Sequence, residues 1–430
     1  AFAAYVSLLL FYPCYLALSF GTIDITAARI VTAVLLARCL ANPKLRRGFK
    51  WQPLDKAVAF SMVVYVAMTF TAMPLKEAME NRGGFLLDTG LAYLVARLCI
   101  TDRASFITAT KSVGLALVPL ALLGVIESCT GWQPYITMMR YCPWDARVLD
   151  ISLRSGFFRA TAAFGHSIMF GTVFVLFLPM VYYLRHERGY WQTWAYPLSI
   201  VLIIGALSSM SSGPWMAVIF AIICLAMERF RRWLKLILIG LLGSCIFIGI
   251  ASNRPFYHVI VSYANPIGGS GWHRAKLIDC AIQHFGEWYL KGYGGEDPGW
   301  GESLGMDHTD ITNEFILAGV QYGFLGVIAL CAVLATAIRQ SVRLHNSASD
   351  PRLRSLAWAL GSIIATVILV FTSVSIFTQM VPLFYCVLGM IGSSANFTHD
   401  TVQLTSSEVL WPRKHIHAVS REDSGTTLKI

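Results

Sequence analysis

The chain has 430 residues, 56% of them AVILMFWYC and only 13% Asp, Glu, Lys or Arg, about half the charged share of a soluble domain. So few charged side chains cannot cover soluble cores of this size, which excludes a soluble enzyme, a disordered chain and a nucleic-acid binder. The formal charge of +10 then becomes a topology signal, provided that the Lys and Arg gather on one side of a bilayer.

A membrane-crossing helix takes about 20 consecutive apolar residues. Such runs predict twelve spans, over 1–20, 24–41, 55–73, 83–100, 105–126, 161–184, 192–209, 212–228, 233–251, 311–337, 355–373 and 377–393. The expected fold class is all-α, a polytopic integral membrane protein with residues 1–393 as one transmembrane domain. Only short breaks, at 209–213 and 372–378, separate two of the neighbouring pairs. The chain starts on Ala1 rather than Met and an apolar run begins at once, so a trimmed N-terminus is expected. From 394 to 430 the sequence turns polar and reads as a flexible cytoplasmic tail.

Alternate connections divide the cations unevenly. One side collects 22 Lys and Arg, including Arg38, Lys50, Arg97, Arg103, Arg185, Arg231, Arg339 and Arg343, together with Arg413, Lys414, Arg421 and Lys429 of the tail. The other side has ten: Lys76, Arg82, Arg140, Arg147, Arg154, Arg159, Arg254, Arg274, Lys276 and Lys291. The positive-inside rule makes the first side cytoplasmic, with both termini inside, and puts the long connections 127–160 and 252–310 outside. Eight of the ten outer cations stand in those two loops, where topology gives no reason for them. Solvated loop charge is the plain alternative. As a group of Arg facing anionic lipid, they suggest a phosphate site, since the planar guanidinium grips phosphate in two places.

Ten cysteines lie mostly within spans, where thiols act as small apolar groups. Cys129 and Cys142 share the first outer loop and are a candidate pair in an oxidising compartment, or two free thiols. No Cys/His spacing marks a metal site, no Gly-rich loop marks a nucleotide site and no internal repeat is evident, so no cofactor is expected.

The second outer loop concentrates polar chemistry at one membrane face. It runs from Ser270-Gly271-Trp272-His273-Arg274 through a helical stretch at 275–285 to Gly292-Tyr293-Gly294-Gly295. It closes on Met306-Asp307-His308-Thr309-Asp310-Ile311-Thr312-Asn313-Glu314-Phe315, then Gly323-Phe324-Leu325-Gly326. Ionisable groups at the edge of a bundle are functional candidates by default.

These pieces resemble the bacterial O-antigen ligases and related surface-polysaccharide polymerases. Arg159-Ala160-Thr161-Ala162-Ala163-Phe164 is similar to the family's Arg-x-x-Gly-x-Phe stretch, and Ser208 to Trp215 to its Ser-Arg-Gly-x-Trp turn. Arg274 and the 292–295 glycines resemble the segment around the family's Gly-x-Gly, and Asn313, Gly323 and Gly326 its His-Asn, nine residues, Gly-x-x-Gly ending. Two departures matter: Thr312 stands where the family has His, and Ser212 where it has Arg. Both favour a polymerase-like member over a strict ligase.

The resemblance implies glycosyl transfer from an undecaprenyl-diphosphate-linked glycan donor to a glycan acceptor, outside the inner membrane, without metal or nucleotide sugar. A flippase and a chain-length regulator are implied as working neighbours. The leaving lipid diphosphate calls for cations and the acceptor hydroxyl for a base. Arg274 and then Arg159 lead for the diphosphate, with Arg82 and Arg29 behind them and Asn313 and Trp272 as further substrate contacts. His308 is the first choice of base because imidazole titrates near neutrality, with Asp307 as the alternative. If the tenth span starts early, residues 308 and 312 share a helix face; against that, Asp310 reads as an N-cap that leaves His308 outside. His166 is read as a helix-to-helix hydrogen-bonding group. The outer-loop aromatics Trp132, Tyr135, Trp144, Trp272, Trp288, Tyr289, Tyr293 and Trp300 are candidates for sugar stacking or for the interfacial belt. The rival readings are a ligase that transfers finished glycan to a lipid A core or protein, and a transporter or flippase of the same lipid. Against transport stand the absence of an internal repeat and the collection of charge at one face.

Overall fold

The computed structural model describes residues 1–13, 15–20, 23–43, 45, 49–139, 141, 151–263 and 271–397. The tail from 398, Lys44, Arg46 and Arg47, and the 142–150 and 264–270 segments lie outside them, and with them Arg140, Cys142, Trp144, Arg147, Gly268 and Gly269.

Helices carry the described chain, as the apolar runs predict. Seven are long and apolar enough to cross a membrane: Pro53–Ala72, Arg103–Thr130, Ser167–His186, Tyr190–Ser208, Arg231–Ala251, Glu314–Ser347 and Pro351–Phe371. Shorter apolar helices occupy Phe2–Phe11, Ser212–Ala226 and Met380–Asn396. A further helix covers Ala27–Ala41, and Leu75–Leu86, a π-helical turn at Leu87–Leu91 and Ala92–Cys99 follow one another without a break. Every predicted run is thus met by a helix, and the chain has the make-up of a multi-pass membrane protein.

The first run departs from expectation. Its helix stops at Phe11 because Pro13 removes a backbone donor and forces Tyr12 out of the helical region, to φ −80 and ψ 120. Residues 17–20 then pair antiparallel with 23–26 in a short hairpin, so 1–20 is not one helix. A second small hairpin pairs Leu153–Arg154 with Phe157–Phe158.

The Ser167–Tyr183 helix is the centre of the bundle, buried along nearly its whole length. Tyr190–Ser208, Ser212–Ala226, Pro351–Phe371, Arg103–Thr130 and Met380–Ser393 all touch it, and the long Glu314–Ser347 helix packs between Pro53–Ala72 and Pro351–Phe371. Three arginines at helix ends are paired with acids. Arg97 meets Asp55 at 2.9 Å with both side chains buried, and the same carboxylate accepts the Tyr93 hydroxyl at 2.5 Å. Arg103 meets Glu187 at 2.8 Å and Arg185 meets Glu228 at 3.3 Å. Each charge pair taken out of water needs such partners.

The second outer loop folds on a core of its own, with Leu277, Cys280, Trp288, Trp300 and Leu304 closing over Val320 of the long helix. The glycines singled out in the sequence make this docking possible. Gly323 breaks the helix at φ +68, where a Cβ would stand 2.6 Å from the Leu290 carbonyl oxygen, and a Cβ on Gly292 would stand 2.5 Å from that of Val320. Backbone therefore meets backbone: Phe324 N donates to the Tyr289 carbonyl at 2.7 Å. Gly323→Ala is expected to cost about 1–3 kcal/mol through backbone strain and this clash. Gly240→Ala, on a helix face with nothing within 4 Å, should leave the midpoint unchanged or raise it. Thermal unfolding in detergent micelles checks both, and an unperturbed Gly323→Ala protein would contradict the docking described.

Candidate functional site

Four connections that the alternation of spans puts on one side converge on a cavity of 640 Å³. The first supplies two arginines. Leu153 to Phe158 forms a two-residue hairpin whose central Ser155 and Gly156 both have positive φ, 52 and 83, the geometry that matches the twist of the paired strands. The turn sets Arg154 and Arg159 on the cavity wall. Arg159 opens a strap to His166 that is tied at nearly every peptide. Gln133 donates to its carbonyl at 3.1 Å, Ala160 N donates to the Ser208 carbonyl at 3.2 Å, and Gln379 donates to the Ala163 carbonyl at 2.7 Å. Glu127, fully buried, accepts Thr161 N and Ala162 N, both at 2.9 Å, across a turn where Ala162 is held at φ +42. A non-glycine residue stays in that region only when its surroundings hold it there.

The second connection is the turn between Tyr190–Ser208 and Ser212–Ala226. Its Ser211 hydroxyl accepts from Arg159 Nη2 at 2.9 Å, and its Met210 carbonyl takes Arg154 Nη1 at 3.3 Å. The third is the second outer loop, where Arg274 in the first turns of the Gly271–Gln283 helix donates from Nε to the Ser373 carbonyl at 3.1 Å. Beside it, His273 Nε2 bonds the Asp310 carbonyl at 2.9 Å and pins the non-helical segment that brings His308, Asp310 and Thr312 to the cavity. The fourth is the 372–379 segment, which adds Ser373, Val374, Ser375 and Phe377.

Charge is the distinguishing feature of this cavity. Three guanidinium groups and two imidazoles line it with one carboxylate, Asp310, and none of Arg154, Arg159 and Arg274 makes an ion pair among the described residues. Their partners are carbonyls and a hydroxyl, which satisfy hydrogen bonds without cancelling charge. Burial pushes Arg159 and Arg274 below the usual guanidinium range, and the positive charge of Arg154 pushes both further the same way, partly offset at Arg274 by Asp310. Arg159 Nε and Thr312 Oγ1 are buried without a partner among the described residues. Such a wall can take a multiply charged anion with several acceptor oxygens.

The residues expected from the sequence divide around this geometry. Arg274, Arg159 and His308 stand together on the cavity. Asp307 is exposed and outside the lining; Asp310 is the carboxylate within it. The long helix begins at Glu314 with Asn313 as its N-cap, so Asp310 is not the cap and residues 308 and 312 share no helix face. Asn313 accepts Phe315 N and Ile316 N and donates to the Thr372 carbonyl at 3.0 Å, which uses its side chain for capping and for tying down the last loop. Trp272, 64% exposed, is not on the cavity.

Arg29 and Arg82 are engaged elsewhere. Arg29 pairs with Asp88 at 2.6 Å, and Arg82 donates to the Tyr322 hydroxyl at 2.9 Å between the Phe85 and Tyr322 rings. His166 caps its own helix, its Nδ1 accepting Ile168 N at 3.2 Å, and among the described residues it does not bond across to another helix; its ring lines the cavity. Trp288 and Trp300 belong to the loop core rather than to an open surface. Arg154 and Ser211 were not singled out in the sequence; the SSMSSGPW stretch and the excess of outer-loop Arg were their signals. The chain matches no protein-family model and no curated protein sequence.

A cluster of like charges held by neutral partners favours binding over stability. Arg154→Gln is therefore expected to raise the thermal midpoint by about 1–2 °C, as removal of one repelling charge would. It should at the same time weaken the stabilisation given by added inorganic diphosphate. A scan of both proteins with and without diphosphate reads both effects, and a lower midpoint for the variant would show that Arg154 is a net stabilising contact.

Proposed function

We propose that the protein is a glycosyltransferase of the bacterial inner membrane that polymerises undecaprenyl-diphosphate-linked repeat units into a surface polysaccharide on the periplasmic face, with twelve spans and both termini inside. The observation that carries the reading is the cavity wall of Arg154, Arg159 and Arg274, with Asp310 as its one carboxylate among the described residues. A lipid diphosphate supplies the opposite charge, and the wall belongs to connections placed outside by the distribution of Lys and Arg. The resemblance of the 159–164, 208–215 and 313–326 segments to polysaccharide polymerases and ligases points to the same donor.

In the proposed step the acceptor hydroxyl oxygen bonds to the anomeric carbon of the donor sugar. The bond from that carbon to the diphosphate oxygen breaks, its electron pair stays on the diphosphate, and His308 receives the hydroxyl proton. Negative charge grows on the leaving diphosphate, where Arg274 and Arg159, with Arg154 beside them, stabilise it more than in the ground state. The arginines wait with their charge uncancelled, so no ion pair must break before the donor binds.

Arg274→Ala, Arg159→Ala and His308→Ala are each expected to insert normally and to lower chain extension by about a hundredfold or more. The measurement is the length distribution of glycolipids on a gel from cells carrying each variant. Normal lengths from Arg274→Ala and His308→Ala would sink the proposal. Loss of the gene separates the ligase reading: single repeats left on the lipid indicate a polymerase, and full-length chains left there indicate a ligase.

A further inference from the structure

The 372–379 segment has two faces. Ser373, Val374, Ser375 and Phe377 line the arginine cavity, whereas Thr378 and Gln379 line a second cavity of 210 Å³ together with Tyr12, Arg29 and Asp88. The segment passes from one to the other at Thr378, held at φ +51, a conformation that a β-branched residue rarely adopts. One strained wall thus separates two cavities of different chemistry.

In the second cavity the cation is already answered. Arg29 gives Nε and Nη2 to Asp88, the shorter contact at 2.6 Å, and Nη1 to the Asp24 carbonyl at 2.5 Å. What remains is acceptor capacity. A carboxylate offers about four lone-pair sites, so Asp88 can accept beyond its bonds to Arg29. Gln379 is 7% exposed, spends its Nε2 on the Tyr12 and Ala163 carbonyls at 2.8 and 2.7 Å, and has a buried Oε1 without a partner among the described residues. Asp88 is carried by the π-helical turn Leu87–Leu91, an irregularity that occurs often at functional sites. A phosphate would meet acceptors here and is disfavoured, whereas a group rich in O–H donors satisfies both side chains.

We propose that the cavity lined by Asp88, Arg29 and Gln379 binds an uncharged, hydroxyl-rich group, a sugar of the acceptor glycan remote from its attacking hydroxyl, on the far side of the wall from the diphosphate. The assignment rests on the glycosyl-transfer reading above. Its test uses the purified full chain, with undecaprenyl diphosphate as the binding probe and lipid-linked repeat units from membranes as the extension substrate. Two variants are compared: Asp88→Asn, and the charge swap Arg29→Asp with Asp88→Arg, which restores an ion pair but not the arrangement of acceptors.

Both variants should bind undecaprenyl diphosphate within about twofold of the parent, since neither residue lines the arginine cavity, while extension falls about tenfold or more. Extension within about threefold of the parent in Asp88→Asn, a shift smaller than one ordinary hydrogen bond, overturns the proposal. So does recovery of extension in the charge swap, which would make the pair purely structural, and so does lost binding of undecaprenyl diphosphate in either variant. If the parent itself fails to bind undecaprenyl diphosphate, the glycosyl-transfer reading falls and takes this assignment with it.

Discussion

Three guanidinium groups face one cavity with no ion pair among the described residues, and the connections around that cavity are organised around holding them. Like charges brought together in a partly buried site repel, and desolvation makes each of them dearer. The protein answers with dipoles rather than charges: the Ser373 and Met210 carbonyls and the Ser211 hydroxyl take one bond each. Carboxylates would hold the arginines more firmly but would leave nothing for an anion to gain. The opposite end of the bundle makes the contrast plain, since Arg97, Arg103 and Arg185 each meet an acid there. Those three arginines are paired with acids; among the described residues the three on the cavity are not.

Rigidity of the backbone is what makes dipolar support sufficient. The strap from Arg159 to His166 is tied by Glu127, Gln133, Ser208 and Gln379, which come from different parts of the chain, and Asn313 ties the last loop to the start of the long helix. None of these touches the arginines' charge directly. They fix the peptides that carry Arg159 and the carbonyl that receives Arg274, so the side chains need not be held by ion pairs. The strained Ala162 and Thr378 lie in or beside the tied segments, which is where strain can persist.

How much of this is legible in the sequence follows from the range of the interaction concerned. Helices in lipid must be apolar over their whole length, so the runs are visible without any partner, and the breaks at 209–213 and 372–378 show as polar interruptions. The early stop at Phe11 was local too, since Pro13 signals it; the apolar run simply hid the signal. Asn313 against Asp310 as the cap is a choice between two good caps three residues apart, settled by the reach of Asn313 to Thr372, 59 residues away. Arg29 and Arg82 could not be separated from Arg159 by inspection, because their partners lie 59 and 240 residues distant. Arg154 was visible only as one of an unexplained group. Its importance depends on a hairpin that aims it and on two other arginines from separate loops.

The glycines of the second outer loop show how a weak sequence motif can carry a strong physical requirement. Gly292 and Gly323 stand 31 positions apart in the chain and meet through backbone, at distances that no side chain tolerates. Their contact seats the loop core on the long helix, and the same loop carries Arg274 at one end and His308 at the other. In the seated loop His273 holds the 308–312 segment by bonding the Asp310 carbonyl. The chain of dependence therefore runs from two missing Cβ atoms, through a docked loop, to the relative placement of a guanidinium and an imidazole on one cavity. Spacing between such glycines matters more than their number, because what the site needs is a fixed distance between two walls drawn from one loop.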